Sequence, residues 1–245
     1  MLPFQSFYKN SLTEQVLNRM HFDTHVRLIH FSLLLLCAAS CLFAVIRCIY
    51  SDSYTILFMI WNLFLAYLPF MFSRLMYTGH HKLLHIFYFT LWLLFLPNAP
   101  YMITDIVHLK QIRLNEFFWF DVSFYFLFAI TGVLLGLVSM LTMHRYMHQF
   151  YKRRVTWPAI LVLHILCAYG VYLGRIERYN SWDLFTKPVV LFKDIINDIL
   201  HPLQNEQALG FTMVGMLLLM MCYFFMAAMR CPELFFRINK SRTQL

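Results

Sequence analysis

Ten polar side chains sit within or beside apolar blocks of the kind that cross membranes: Asn62, Asn98, Asp105, His108, Asp121, Arg175, Glu177, Arg178, Asn180 and Asp183. Asp105 and His108 are three apart in "TDIVH", so on a helix both reach one point. As a pair they are candidate catalytic residues, able to relay a proton beside a cationic group. They are also candidate metal ligands, with Glu177 or Asp183 completing a site for a hard or borderline cation. Arg175 and Arg178, three apart in "GRIERYNSWD", could clamp one anion. They disfavour a bound cation and suit a phosphate. Asn98, Asp121, Glu177, Asn180 and Asp183 would supply the remaining contacts to a substrate. Ser123 and Ser181 are nearby hydroxyls that nothing marks as nucleophiles, there is no H-E-x-x-H, and no cofactor is indicated. The plainer account is that Arg175, Arg178, Glu177, Asp105, Asp121 and Asp183 form a salt-bridge network tying spans together, since charges removed from water need partners.

These residues must be positioned by membrane helices. The chain is 60% hydrophobic, 18% aromatic and 13% charged, against about 25% charged in average soluble domains. Its apolar residues come in blocks of spanning length, roughly 20 residues each. The net charge of +8 sits at the ends of those blocks, where positively charged loops orient a membrane protein, and no nucleic-acid motif is present. Cys37, Cys41, Cys48, Cys167, Cys222 and Cys231 lie in or beside apolar blocks without a C-x-x-C pair, which points to buried thiols rather than to disulfides or zinc. The polar stretch before the first block is too long for the usual n-region of a signal peptide. "AASC" at 38–41 lacks the leucine expected of a lipid-attachment site.

The expected architecture is all-α: a polytopic bundle of six transmembrane helices over about 27–49, 54–77, 82–97, 118–143, 157–174 and 208–230, with two short interfacial helices on the outer side. Residues 1–26 form a cytoplasmic N-terminal segment, 27–230 the six-span membrane domain and 231–245 a cytoplasmic basic tail. Lys and Arg decide the orientation. Thirteen lie on the side of the termini and seven on the other, four of these in the loop after span five. That bias places both termini in the cytoplasm.

Span three runs about 16 residues from Lys82 to Pro97, or roughly 24 Å, which is short of a hydrocarbon core about 30 Å thick. Pro97 and Pro100 remove amide donors and disfavour helix before them. Broken backbone at that depth is either a kink at a helix end capped by Asn98, or the lining of an outward-facing pocket. In "YMITDIVHLKQ", Met102, Ile103, Ile106 and Val107 would share one helical face, with Thr104, Asp105, His108 and Gln111 mainly on the other. "KPVVLFKDIINDILHP" reads as the second interfacial helix. Its apolar stripe is Val189, Phe192, Ile195, Ile196 and Ile199, and its wet face Lys193, Asp194, Asn197, Asp198 and His201. Trp182 sits at aromatic-belt level. His80, His81 and His85 read as a solvated loop beside Lys82. His144 and His148 read as basic-loop residues facing lipid phosphates, and His30 and His164 as histidines hydrogen-bonded between helices.

"WNLFLAYLP", "LWLLFLPNAPYMITDIVHL", "WFDVSFY" and "GRIERYNSWD", in this order, resemble the bacterial integral membrane protein family called domain of unknown function 1361, over roughly residues 30–230. The resemblance implies a multi-span bacterial membrane protein and no assigned activity, so no catalytic residue is carried over from it. The expected protein lies in the bacterial cytoplasmic membrane among membrane lipids, with no nucleic-acid partner and with room for a membrane-protein partner. Its outward-facing polar pocket would bind an anionic or amphiphilic envelope molecule. The alternatives are a structural or accessory subunit, or a small-solute transporter. Few polar groups lie toward the midplane to serve transport: His30, Ser40, His164 and some threonines.

Overall fold

The computed structural model describes residues 4–51, 54–78, 82–111 and 118–230. Its helices are α1 (Phe4–Ser51), α2 (Phe58–Thr78), α3 (Lys82–Phe95), α4 (Asn98–Thr104), α5 (Phe118–Phe150), α6 (Arg153–Arg175), α7 (Asp183–Thr186), α8 (Pro188–Leu200) and α9 (Glu206–Arg230), with 3₁₀ segments at Tyr54–Leu57 and Asp105–Gln111. No strand occurs among the described residues. Six stretches are long and apolar enough to cross a membrane: Arg27–Tyr50, Phe58–Tyr77, Lys82–Lys110, Phe118–Phe150, Arg153–Arg175 and Glu206–Met229. The protein is a multi-pass helical membrane bundle.

The third span differs from the expected 82–97, because its helix resumes after the break. Pro97 has no amide to give the Leu93 carbonyl, the Ala99 amide bonds Leu96 at 3.2 Å instead of Phe95, and Asn98 Nδ2 donates to the Phe95 carbonyl at 3.0 Å. A new helix then starts at Asn98, with Pro100 in its first turn, where amides lack partners in any helix. The interruption is therefore a restart. The restarted segment is buried at Ala99, Pro100 and Met102, because glycines on its neighbours leave room for it. A Cβ on Gly132 of α5 would lie 2.5 Å from the Ala99 carbonyl oxygen, and one on Gly170 of α6 would lie 2.4 Å from Pro97 Cγ.

Two apolar clusters surround this break. One gathers Trp92, Leu96, Met140, Met143, Ile160, Cys167 and Tyr223 from α3, α5, α6 and α9. The other gathers Met59, Phe70, Met102, Phe124 and Phe128 from α2, α4 and α5. Polar groups inside them are paired locally: Trp92 Nε1 donates to Ser139 Oγ at 2.6 Å, and the Ser40 and Thr131 hydroxyls meet at 3.3 Å.

The histidines correct the expectation of a basic loop. α5 runs on to Phe150, and His144 is fully buried. One of its ring nitrogens meets the Tyr223 hydroxyl and the other meets Thr156 Oγ1 at 3.2 Å. His144 continues the buried face of Gly136 and Met140 at helical spacing, so it faces protein and not lipid phosphate. His148 packs beside it, with ring centroids 6.3 Å apart. His85 lies in α3 and meets the Tyr146 hydroxyl, while His80 and His81 lie outside the described residues. His164 Nδ1 bonds the Ile160 carbonyl of its own helix at 2.7 Å, and His30 sets its ring edge-to-face on Phe70.

Candidate functional site

The site is centred on Asp105, which is 1% exposed. It opens the 3₁₀ segment after α4 and points inward. Arg175, at the end of α6, donates to Asp105 Oδ1 at 3.1 Å, and Asn62 of α2 donates to Asp105 Oδ2 at 3.1 Å. The Arg175 guanidinium also donates to the Tyr101 hydroxyl at 3.1 Å and to the Thr104 carbonyl, and it lies 5.3 Å from the centre of the Tyr101 ring. Gly174 packs beside that ring, where a Cβ would stand at ordinary contact distance, 3.4 Å from Tyr101 Cε2. His108 Nε2 is 3.8 Å from Asp105 Oδ1, an ion-pair distance longer than a hydrogen bond. Its ring is held between Phe58 and Tyr125. Asp105 and Met102 are thus buried together, while Ile103, Ile106 and Val107 are exposed. The segment is the continuation of span three, with its one carboxylate turned into the protein.

Two neighbouring cavities open here, with Asn62, Tyr101, Gly174 and Asn180 lining both. The wider one, about 700 Å³, is lined by Phe58 and Val107 and by the charged or titratable side chains Asp105, His108, Lys110, Arg175 and Arg178. The other, about 340 Å³, is walled by Trp61, Leu65, Leu94, Pro97, Leu191 and Ile195. Pro97 and Asn98 face this second cavity while Ala99 and Pro100 are packed away, so the "PNAPY" stretch is both a kink and a pocket wall.

Of the other expected residues, Asn98 donates to Ser181 Oγ at 3.0 Å and fastens the loop after α6 to the break. Asn180 reaches both cavities. Arg178 lies past the end of α6 with φ of 60°, and its side chain lines the wider cavity apart from the Arg175–Asp105 pair. Glu177 accepts from the Tyr172 hydroxyl at 2.7 Å. Asp121 is away from the pocket, in a bidentate pair with Arg47 that ties α5 to α1. Of the six charges, Asp105 and Arg175 pair with each other and Asp121 pairs with Arg47, while Glu177 and Asp183 accept from neutral groups, so they do not form one network. Glu177 and Asp183 have their own partners, and among the described residues no group of three or more His, Cys, Asp or Glu side chains is placed to hold a metal ion.

Asp183 locks the loop. Its carboxylate accepts from the Asn180 amide at 2.7 Å and the Thr186 hydroxyl at 2.9 Å. These two bonds hold its pKa below the usual carboxylate range. A depressed carboxyl pKa gives stability that is present above the unfolded-state value and is lost as pH falls through the folded one. Acidification below about pH 4 should therefore loosen residues 180–186. The fluorescence of Trp182 should report that transition, and Asp183→Asn should remove it.

The sequence pattern did not single out the tyrosines. Tyr179 donates to Asp194 at 2.6 Å, a bond that pushes its pKa up to about 12. Tyr169 donates to Asp198 at 2.8 Å, and Asn205 Nδ2 donates to Asp198 at 2.9 Å while its Oδ1 caps α9 at Ala208. Asp194 and Asp198, expected on the wet face of α8, thus hold that helix to α6 and its loop. Leu191 and Ile195 face the smaller cavity, whereas Val189, Phe192, Ile196 and Ile199 are exposed. The available signal was the spacing of four between Asp194 and Asp198, which puts both on one helical face.

A family model described as "Protein of unknown function (DUF1361)" matches residues 61–222, and the chain belongs to that family. Neither a curated protein nor a solved structure matches it significantly.

Proposed function

We propose that this family member binds an anionic or amphiphilic envelope molecule in the neighbouring cavities, at the outer face of a bacterial cytoplasmic membrane with both termini in the cytoplasm. One observation supports this above the others. Arg175, Arg178 and Lys110 line the wider cavity against a single carboxylate, Asp105, which Arg175 already holds. Such an imbalance in a concave, partly desolvated wall attracts an anion. Arg178 adds to the argument. Its left-handed backbone is of the kind that ends helices, with the next amide, Tyr179, donating to the Leu173 carbonyl at 3.0 Å, and among the described residues no carboxylate pairs with its side chain. His108, half-buried in the wall of the same cavity beside the Asp105 carboxylate, is the group placed to accept a proton from whatever binds there. A structural role suits the buried pairs themselves, since Asp105–Arg175 joins α4 to α6 and Asp121–Arg47 joins α5 to α1.

The test is lipid retention. Wild-type protein in mild detergent should keep phosphatidylglycerol in preference to phosphatidylcholine by native mass spectrometry. Arg178→Gln should lower that retention about tenfold, roughly 1.4 kcal/mol, with unchanged thermal stability. Equal retention of both lipids by the wild-type protein would sink the proposal.

A further inference from the structure

The two cavities are stacked along the spans, and three separate spans give the same order. On α2, Phe58 at the start of the span lines the wider cavity, Asn62 lines both, and Trp61 and Leu65 line the smaller one. On the third span, Leu93, Leu94 and Pro97 line the smaller cavity, and Asp105, His108 and Lys110 at its end line the wider one. On α6, Gly170 and Leu173 line the smaller cavity, and Arg175, the last residue of the helix, lines the wider one. At 1.5 Å per residue the span residues of the smaller cavity on α2 and α6 lie roughly 3–11 Å farther in than those of the wider one. The smaller cavity therefore extends from the span ends, where Asn180 and Ser181 line it, toward the interior, where Leu65, Leu93 and Leu94 do, which is the direction a lipid chain takes in the adjoining leaflet.

α8 closes the smaller cavity from the side. Leu191 and Ile195 face the cavity, while the adjoining apolar residues Val189, Phe192, Ile196 and Ile199 are exposed. The helix is 13 residues long, too short to span, and its outer stripe is continuous in character with the exposed apolar surface of the spans. The lobe, at about 340 Å³, is within the about 300–1,000 Å³ range of pockets that enclose small ligands.

Taking the anion-binding reading as its premise, we infer that the ligand is a single lipid with an anionic headgroup, standing upright with its headgroup among Arg178, Lys110 and Arg175 and its chain in the lobe walled by Leu65, Leu94 and Ile195. A water-soluble anion would use the first lobe alone. The chain lobe is what selects a molecule resident in the bilayer.

The two sources of the anionic group are separated by a headgroup supplied with and without a chain. The full-length protein in nanodiscs of neutral phosphatidylcholine is titrated with lysophosphatidylglycerol and, separately, with glycerol phosphate. The lysolipid should bind at least tenfold more tightly. Ile195→Trp, which fills the chain lobe from a surface helix, should remove that advantage and leave glycerol phosphate binding unchanged, and Leu94→Phe should act in the same direction. Arg178→Gln should weaken both ligands. Equal affinities for the two ligands, untouched by Ile195→Trp, would overturn the lipid inference and leave an anion site. Absence of binding by either ligand, or binding indifferent to Arg178→Gln, would overturn the underlying reading as well.

Discussion

Replacing Asp105 with alanine should destabilise the bundle by about 3–5 kcal/mol, the usual cost of stranding one member of a buried ion pair. Asp105 is 1% exposed and holds both Arg175 and Asn62, at 3.1 Å each. Without it, Arg175 keeps only neutral acceptors, the Tyr101 hydroxyl and the Thr104 carbonyl, and its largely buried charge, 17% exposed, loses its carboxylate partner. Asn62 loses an acceptor too. Such a loss is large against total stabilities of about 5–15 kcal/mol. Thermal unfolding in one mild detergent should show it for Asp105→Ala. The double replacement Asp105→Leu with Arg175→Met should recover most of it, since removing both charges together is often neutral. A near-neutral Asp105→Ala would mean that the pair is solvated, and the centre of the site would then have to be redrawn. Because stability and binding are both at stake here, Arg178 is the cleaner probe of ligand contact: it lines the same cavity and lies outside the ion pair.

The spans were legible because length and hydropathy are local properties. Four of the six come within about four residues of their expected limits at both ends, and the third and fourth start where expected and run on. The third was misjudged at its C-terminal end. Two prolines were read as a stop, although their spacing of three lets the second occupy the first turn of a new helix, where its missing amide costs nothing. The far end of α5 was misjudged for a similar reason. Histidine and arginine at 144–148 look like a loop by composition, and only the helical spacing from Gly136 and Met140 shows that His144 belongs to the buried face.

The site was legible as an inventory and not as a set of partnerships. Sequence alone collected Asn62, Asn98, Asp105, His108, Arg175, Arg178 and Asn180 at one level, and all of them line one or both cavities. It could not say that Arg175 would choose Asp105, 70 positions away, or that Asp121 would leave the group for Arg47 of α1. Pairings between helices depend on rotation about each helix axis, and composition at a span end does not fix that. The tyrosine contacts to Asp194, Asp198 and Glu177 were missed on the same ground.

Gly170→Ala should cost about 1–3 kcal/mol, the range for overpacking, although alanine favours helix over glycine by up to about 1 kcal/mol. The new Cβ would stand 2.4 Å from Pro97 Cγ and 2.8 Å from Pro97 Cβ. These are atoms of a ring that cannot rotate away, so α6 and the restarted helix must separate. Gly132→Ala should behave alike, because its Cβ would meet the Ala99 carbonyl oxygen at 2.5 Å and backbone yields less readily than a side chain. Gly210→Ala is the control, since no atom lies within 4 Å of a Cβ there, and it should be neutral or stabilising. Separation at Pro97 would also pull on Asn98 and its bond to Ser181, so Gly170→Ala should weaken ligand binding in proportion to its loss of stability. If Gly170→Ala and Gly210→Ala unfold alike, the close approach of α6 to the break does not exist, and the wall shared by Pro97 and Gly170 goes with it.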